Sequence, residues 1–113
     1  MPHVILHLSP ELKREDWHDF FKQAHLILSP YADIAKCKSR INDVSTVYIG
    51  EHQNPEVLIF LELALRPRPP EVLKMIGDQL FECLKAYIKP ILEKHHWVAD
   101  PTIEIRILEH YWQ

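Results

Sequence analysis

Pro2 stands directly behind Met1, at the head of the segment HVILHL. Loss of Met1 would give Pro2 a free secondary amine, and a small second residue permits that loss. Such an amine could serve as a base. An ordinary α-amino group has a pKa of about 7.7–8.0, and a secondary amine is more basic still. Burial disfavours the ammonium form and neighbouring cations disfavour it further, so both bring the amine towards neutrality. A general base works best there. Proline also has a fixed φ, which holds its nitrogen more firmly than a flexible terminus is held. A plainer explanation covers the same residue: the first position of a strand tolerates proline, because no ladder donor is needed. With Met1 retained, the Pro2 nitrogen is an amide and no base.

Two cationic clusters could serve such a base. Lys38 and Arg40 lie two apart in KSR, so in a strand they point to one face. Arg66 and Arg68 stand in RPRPP at 66–70. Taken alone, KSR reads as a solvated strand end and RPRPP as a rigid surface loop. The proline stretch is short and lies between ordered elements, which argues against a polyproline ligand. Brought together at Pro2, the clusters would bind carboxylates, since a guanidinium fork engages a carboxylate through two hydrogen bonds. The chemistry expected is then proton transfer on a small di- or triacid. Pro2 would take a proton from the hydroxyl of a dienol, or from a carbon beside a ketone, and return it along the conjugated system. The cations would hold the acid groups and stabilise enolate-like charge. No cofactor is needed.

Other chemistries find no constellation. None of the eight histidines sits in HExxH or alternates with cysteine at zinc spacing. His95-His96 at a helix end suits the last carbonyls better than a metal. Two glycines cannot build a phosphate cradle, and no serine sits in GxSxG. Asp33, Asp43, Glu62 and Glu82 offer no obvious carboxylate pair. Cys83 and Tyr87 fall on an apolar helical stripe and read as core. His3 and His7 share a strand face opposite Pro2, which leaves them outside the site.

The elements that must position these residues follow from periodicity. Residues 2–8 alternate, with Pro2, Val4, Leu6 and Leu8 on one face and His3, Ile5 and His7 on the other. Ser9-Pro10 predicts a helix start with Ser9 as N-cap. Trp17, Phe20, Phe21, Ala24 and Ile27 keep helical spacing, and Ser29-Pro30 ends it, the residue before proline leaving the α region. Residues 38–49 read as a strand, 50–55 as a turn, and 57–65 as a returning strand, together a hairpin. A second helix carries Val72, Leu73, Ile76, Leu80, Cys83, Leu84, Tyr87 and Ile91, with a kink or break expected near 86–90 because of Pro90. TIEIRILEH at 102–110 alternates as a last strand. The order β-α-β-β-α-β has two similar halves, an α+β arrangement with both helices on one face of the sheet. The other face would be half apolar, and covering it predicts an oligomer.

At 113 residues the chain is one domain, 1–113, with an apolar fraction of 47% and a net charge of −3. Cations are scattered, which argues against nucleic acid as a partner. No apolar run approaches the ~20 residues that span a bilayer, so no membrane partner is expected. Without a recognisable export signal, Cys37 and Cys83 read as reduced thiols of a cytoplasmic protein.

MPH at the start, KSRI at 38–41, and LRPRPPEVLKMIGDQLFECLK at 65–85 followed by TIEIRIL resemble the 5-carboxymethyl-2-hydroxymuconate isomerase family of the tautomerase superfamily. The resemblance covers nearly the whole chain. It is sharpest at Pro2, Ser39-Arg40, Arg68 and the run Gly77, Leu80, Phe81 and Glu82. It implies a tautomerase-like fold, an amino-terminal proline exposed by methionine removal as proton carrier, and a homotrimer. It also implies a role in aromatic catabolism, with substrate carboxylates held at Lys38, Arg40 and Arg68. Where the family has arginine in R-S-R, this chain has Lys38, which keeps the charge but loses the planar fork.

The reading that follows is a cofactor-independent isomerase of a small 2-hydroxymuconate-type di- or tricarboxylate. The alternative is a catalytically inactive protein of the same fold that binds a small acid or serves in assembly. An adaptor using its exposed sheet face is a third class.

Overall fold

The computed structural model describes residues 2–50 and 56–112. Among the described residues, four strands form one sheet in the order β2-β1-β3-β4, with β1 at His3–Leu8, β2 at Lys38–Asp43, β3 at Ile59–Leu65 and β4 at Thr102–Ile107. β1 runs parallel to β2 and antiparallel to β3, and β3 runs parallel to β4. Each half is therefore a strand, a helix and a parallel strand, which matches the internal repeat.

Strand alternation decides which face is covered. Val4, Leu6, Leu8, Leu61 and Leu63 are fully enclosed, in one core with Phe20, Ala24 and Leu28 of α1 (His18–Leu28) and Ile76, Leu80 and Leu84 of α2 (Pro70–His95). Both helices thus lie on the face set by the even-numbered residues of β1. Burying each such side chain stabilises the fold by ~1.5–3 kcal/mol. Tyr87 joins this core through ring contacts at 5.6 Å with both Trp17 and Phe20.

Several expectations need correction. The hairpin does not form, because β1 inserts between β2 and β3 and pairs with both. β2 ends at Asp43, short of residue 49, because Asp43 is paired with Leu8, the last residue of β1. Of the expected turn at 50–55, Gly50 has a positive φ of 51° and the rest lies outside the described residues. Ser9 does not cap a helix with its side chain. Its hydroxyl accepts from the Leu58 N–H at 2.6 Å, and Pro10–Arg14 forms a separate 3-10 turn before α1. Ser29 stays in the α region at φ −57°, ψ −34°; its N–H and its hydroxyl both donate to the Leu26 carbonyl at the helix end. α2 runs unbroken for 26 residues through Pro90. It stops at His96, whose left-handed φ of 56° lets the Trp97 N–H reach back to the Leu92 carbonyl at 3.0 Å.

The uncovered face is more polar than expected. Its cross-strand rows are Lys38–His3–Ala64–Arg106, Arg40–Ile5–Glu62–Glu104 and Asn42–His7–Phe60–Thr102. Among the described residues, no helix is long and apolar enough to cross a membrane.

Candidate active site

Strand direction assembles the site. β1 and β2 begin, and β3 and β4 finish, at the same end of the sheet. Pro2 precedes β1 there, buried, and its carbonyl accepts from the Lys38 N–H at 3.1 Å. Lys38 opens β2, with Arg40 two residues in. Arg66 and Arg68 leave the end of β3. The topology therefore brings Pro2 and both cationic clusters to one sheet end.

The clusters are not equivalent. Lys38 and Arg40 are exposed and, by register, share the open face with His3 and Ile5. Arg68 is half-buried and already engaged. Its guanidinium donates to the carbonyls of Arg66 at 3.2 Å, Pro67 at 2.9 Å and Tyr31 at 2.8 Å. It ties the loop before α2 to the end of α1, with part of its fork left over for a ligand. Arg66 lies over the Tyr111 ring, 5.8 Å from its centroid.

Sequence reasoning left out His3, which shares the open face with the cations. Its ring meets Tyr111 edge-on at 6.2 Å. Burial, then Arg40 and Lys38, hold its pKa below the usual histidine range. Parity was the available signal: Lys38 and Arg40 had a face in common, and only the pairing of β1 with β2 says that it is the face of His3. Further along, His7 hydrogen-bonds Glu62 at 3.2 Å and Asn42 at 3.1 Å, and Arg106 pairs with Glu62 at 3.0 Å. On the covered side, Ser39 faces α1, its hydroxyl 2.5 Å from His25 Nε2.

No family model matches the chain, and no curated protein matches it. Solved structures do. A 5-carboxymethyl-2-hydroxymuconate isomerase from Deinococcus radiodurans R1 superposes with a TM-score of 0.84 at 19% identity, over 99% of this chain and 87% of that one. A 5-carboxymethyl-2-hydroxymuconate delta-isomerase gives 0.81 at 15% identity, over 100% and 86%. A macrophage migration inhibitory factor-like protein from Entamoeba histolytica gives 0.53 at 16% identity, over 92% and 89%. The chain has a tautomerase-like fold. At these identities the likeness carries the fold alone, so the chemistry of the tautomerase-like chain must be argued from its own residues.

Among the described residues, no group of three or more His, Cys, Asp or Glu side chains is placed to hold a metal ion. Cys37 and Cys83 are free and half-buried, and burial raises both thiol pKa values, which disfavours the thiolate a nucleophile needs.

Proposed function

We propose that this chain is a cofactor-independent isomerase that interconverts enol and keto, or double-bond, isomers of a small 2-hydroxymuconate-type di- or tricarboxylate. Pro2, freed by removal of Met1, acts as the general base. Lys38, Arg40 and Arg68 hold the acid groups and stabilise the enolate-like charge. The active unit is a homotrimer. What supports the reading is that a buried Pro2 and the backbone of both cationic segments lie at one end of the sheet, with the Lys38 N–H bonded to the Pro2 carbonyl. Two of the similar folds belong to 5-carboxymethyl-2-hydroxymuconate isomerases, which supports the choice of substrate class.

The steps follow from placement. The acid groups of the substrate are held by Lys38, Arg40 and Arg68. Pro2 takes the enol proton, charge spreads along the conjugated chain towards the cations, and the same nitrogen returns the proton to carbon. Ultraviolet-monitored ketonisation of 2-hydroxymuconate-type acids tests this, on protein whose mass shows Met1 to be absent. Pro2→Ala keeps an amine but loses the ring, and kcat should fall by at least about 10²-fold, the usual scale for a positioned base. Equal activity of the variant refutes the mechanism.

One observation favours the non-catalytic alternative: Arg68 spends three hydrogen bonds on main-chain carbonyls. An acid that binds tightly to correctly processed protein without turnover would decide for it.

A further inference from the structure

We infer that Ser39 and His25 form a nucleophile–base pair that moves the acyl group of a short-chain ester to Ser39 and then to water, an activity separate from the isomerase proposed above. Two elements build the pair. In β2, Ser39 has the parity opposite to Lys38 and Arg40 and pairs with the fully buried Val4 of β1, so its side chain turns to the helix side. His25 lies in the last turn of α1 and brings Nε2 to 2.5 Å from the Ser39 hydroxyl. The connection between the two is tied down. The Asp33 carboxylate accepts from the Ala35 N–H at 3.1 Å, and the Asp33 carbonyl accepts from the Lys36 N–H at 2.9 Å.

A cavity of about 400 Å³ opens beside the pair, lined by His18, Phe21, Lys22, His25 and Ser39. That is room for a small ester, at the lower end of the range of ligand pockets. The cavity lies between α1 and β2, on the helix side of the sheet and away from the face that association would cover. Ser39 and His25 are half-buried, which leaves both within reach of a ligand. Phe21 gives the cavity an apolar wall, and the exposed Lys22 gives it a cation. The pair makes the contact that nucleophilic catalysis needs, a hydroxyl within hydrogen-bond reach of an imidazole nitrogen. Burial holds the His25 pKa below the usual histidine range, so the neutral ring accepts from Ser39 at pH 7.

The step is an acyl transfer in two halves. His25 Nε2 takes the hydroxyl proton as Ser39 Oγ bonds to the ester carbonyl carbon. The carbonyl electron pair moves onto its oxygen, where the Lys22 ammonium of the cavity wall stabilises it. The pair then returns, the bond to the leaving oxygen breaks, and His25 gives that oxygen the proton. Water attacks the acyl group on Ser39 and passes a proton to His25. His25 returns the proton to Ser39 as the acid leaves. Ester and water become acid and alcohol, and nothing is oxidised or reduced.

Hydrolysis of p-nitrophenyl acetate at pH 7.5 tests this, read by release of p-nitrophenolate and by peptide mapping of protein quenched in acid during the first turnover. Wild type should outpace free imidazole at equal concentration and should carry acetyl on Ser39. Ser39→Ala should lose that label and at least about 10²-fold in rate, the scale of a positioned base and its nucleophile. His25→Gln, whose amide can still meet the Ser39 hydroxyl, should lose a similar factor and serves if the first variant does not fold. Protein that retains Met1 should hydrolyse the ester as fast, because this pair makes no use of the Pro2 amine. Ketonisation by the same sample reads the isomerase separately. Acetyl on Lys22 or the amino terminus but not on Ser39, or a Ser39→Ala rate equal to wild type, overturns the pair. So does a wild-type rate no higher than that of imidazole, or loss of hydrolysis when Met1 is retained.

Discussion

Arg68 shows how one residue can serve two ends. Its bonds to Pro67 and Tyr31 fix the loop that leads into α2, while the remaining donors of the fork are the ones a ligand carboxylate would use in the function proposed above. Truncation should therefore act twice. Arg68→Ala should raise KM for a dicarboxylate about tenfold through the lost acid contact, and should lower kcat as well to the extent that the guanidinium stabilises the enolate-like charge. It should also lower stability by about 1–2 kcal/mol through the lost loop bonds. Steady-state kinetics and urea unfolding read the two effects separately. A lower stability with unchanged KM would make Arg68 a loop tie and nothing more. Residue types together with the family resemblance made Pro2, Lys38, Arg40 and Arg68 candidates, although each cationic cluster taken alone reads as a surface feature. That His3 shares a face with Lys38 and Arg40 was not legible, because facing depends on which strands pair, and local spacing does not carry that information.

At the scale of elements, periodicity located β1, α2 and β4 closely and placed both helices on one face. It failed where partners decide the outcome. VLIFLELAL is apolar enough to be a central strand, yet nothing in it says that its neighbour is β1 rather than β2. Local hydrogen bonds also overruled propensity: Ser9 spends its hydroxyl on Leu58 instead of a helix end. α2 tolerates Pro90 because a long buried stripe, from Ile76 to Ile88, outweighs one lost backbone bond. The same helix carries Gly77, whose backbone is not strained. A Cβ built there would lie 3.6 Å from Ile105 Cδ1, an ordinary contact. Gly77→Ala should therefore relieve the helix of a flexible residue and stabilise it by about 0.8–1 kcal/mol. That corresponds to a rise in Tm of about 4–8 °C for a domain of this size. A fall in Tm would mean that the contact between α2 and β4 is tighter than 3.6 Å allows.

For the molecule as a whole, pH links the two faces of the sheet. His3 stands on the open face and His25 on the covered one, against Ser39. Burial is the first cause that lowers both pKa values; Arg40 and Lys38 add to it at His3. In the unfolded chain both histidines return to about 6.5. Between that value and the lower folded values, the unfolded chain binds more protons, so stability must rise with pH there. The contribution is complete above the ordinary histidine range and is lost as pH falls through the folded values. Urea unfolding at pH 7.5, 6.5 and 5.5, at one fixed protein concentration, should show midpoints that decline towards acid. The double variant His3→Gln, His25→Gln should decline less over the same interval, since glutamine does not titrate. His7 and His95 are present in both proteins, so the difference between the two slopes isolates the substituted pair. Equal slopes would show that neither imidazole is held neutral by the fold.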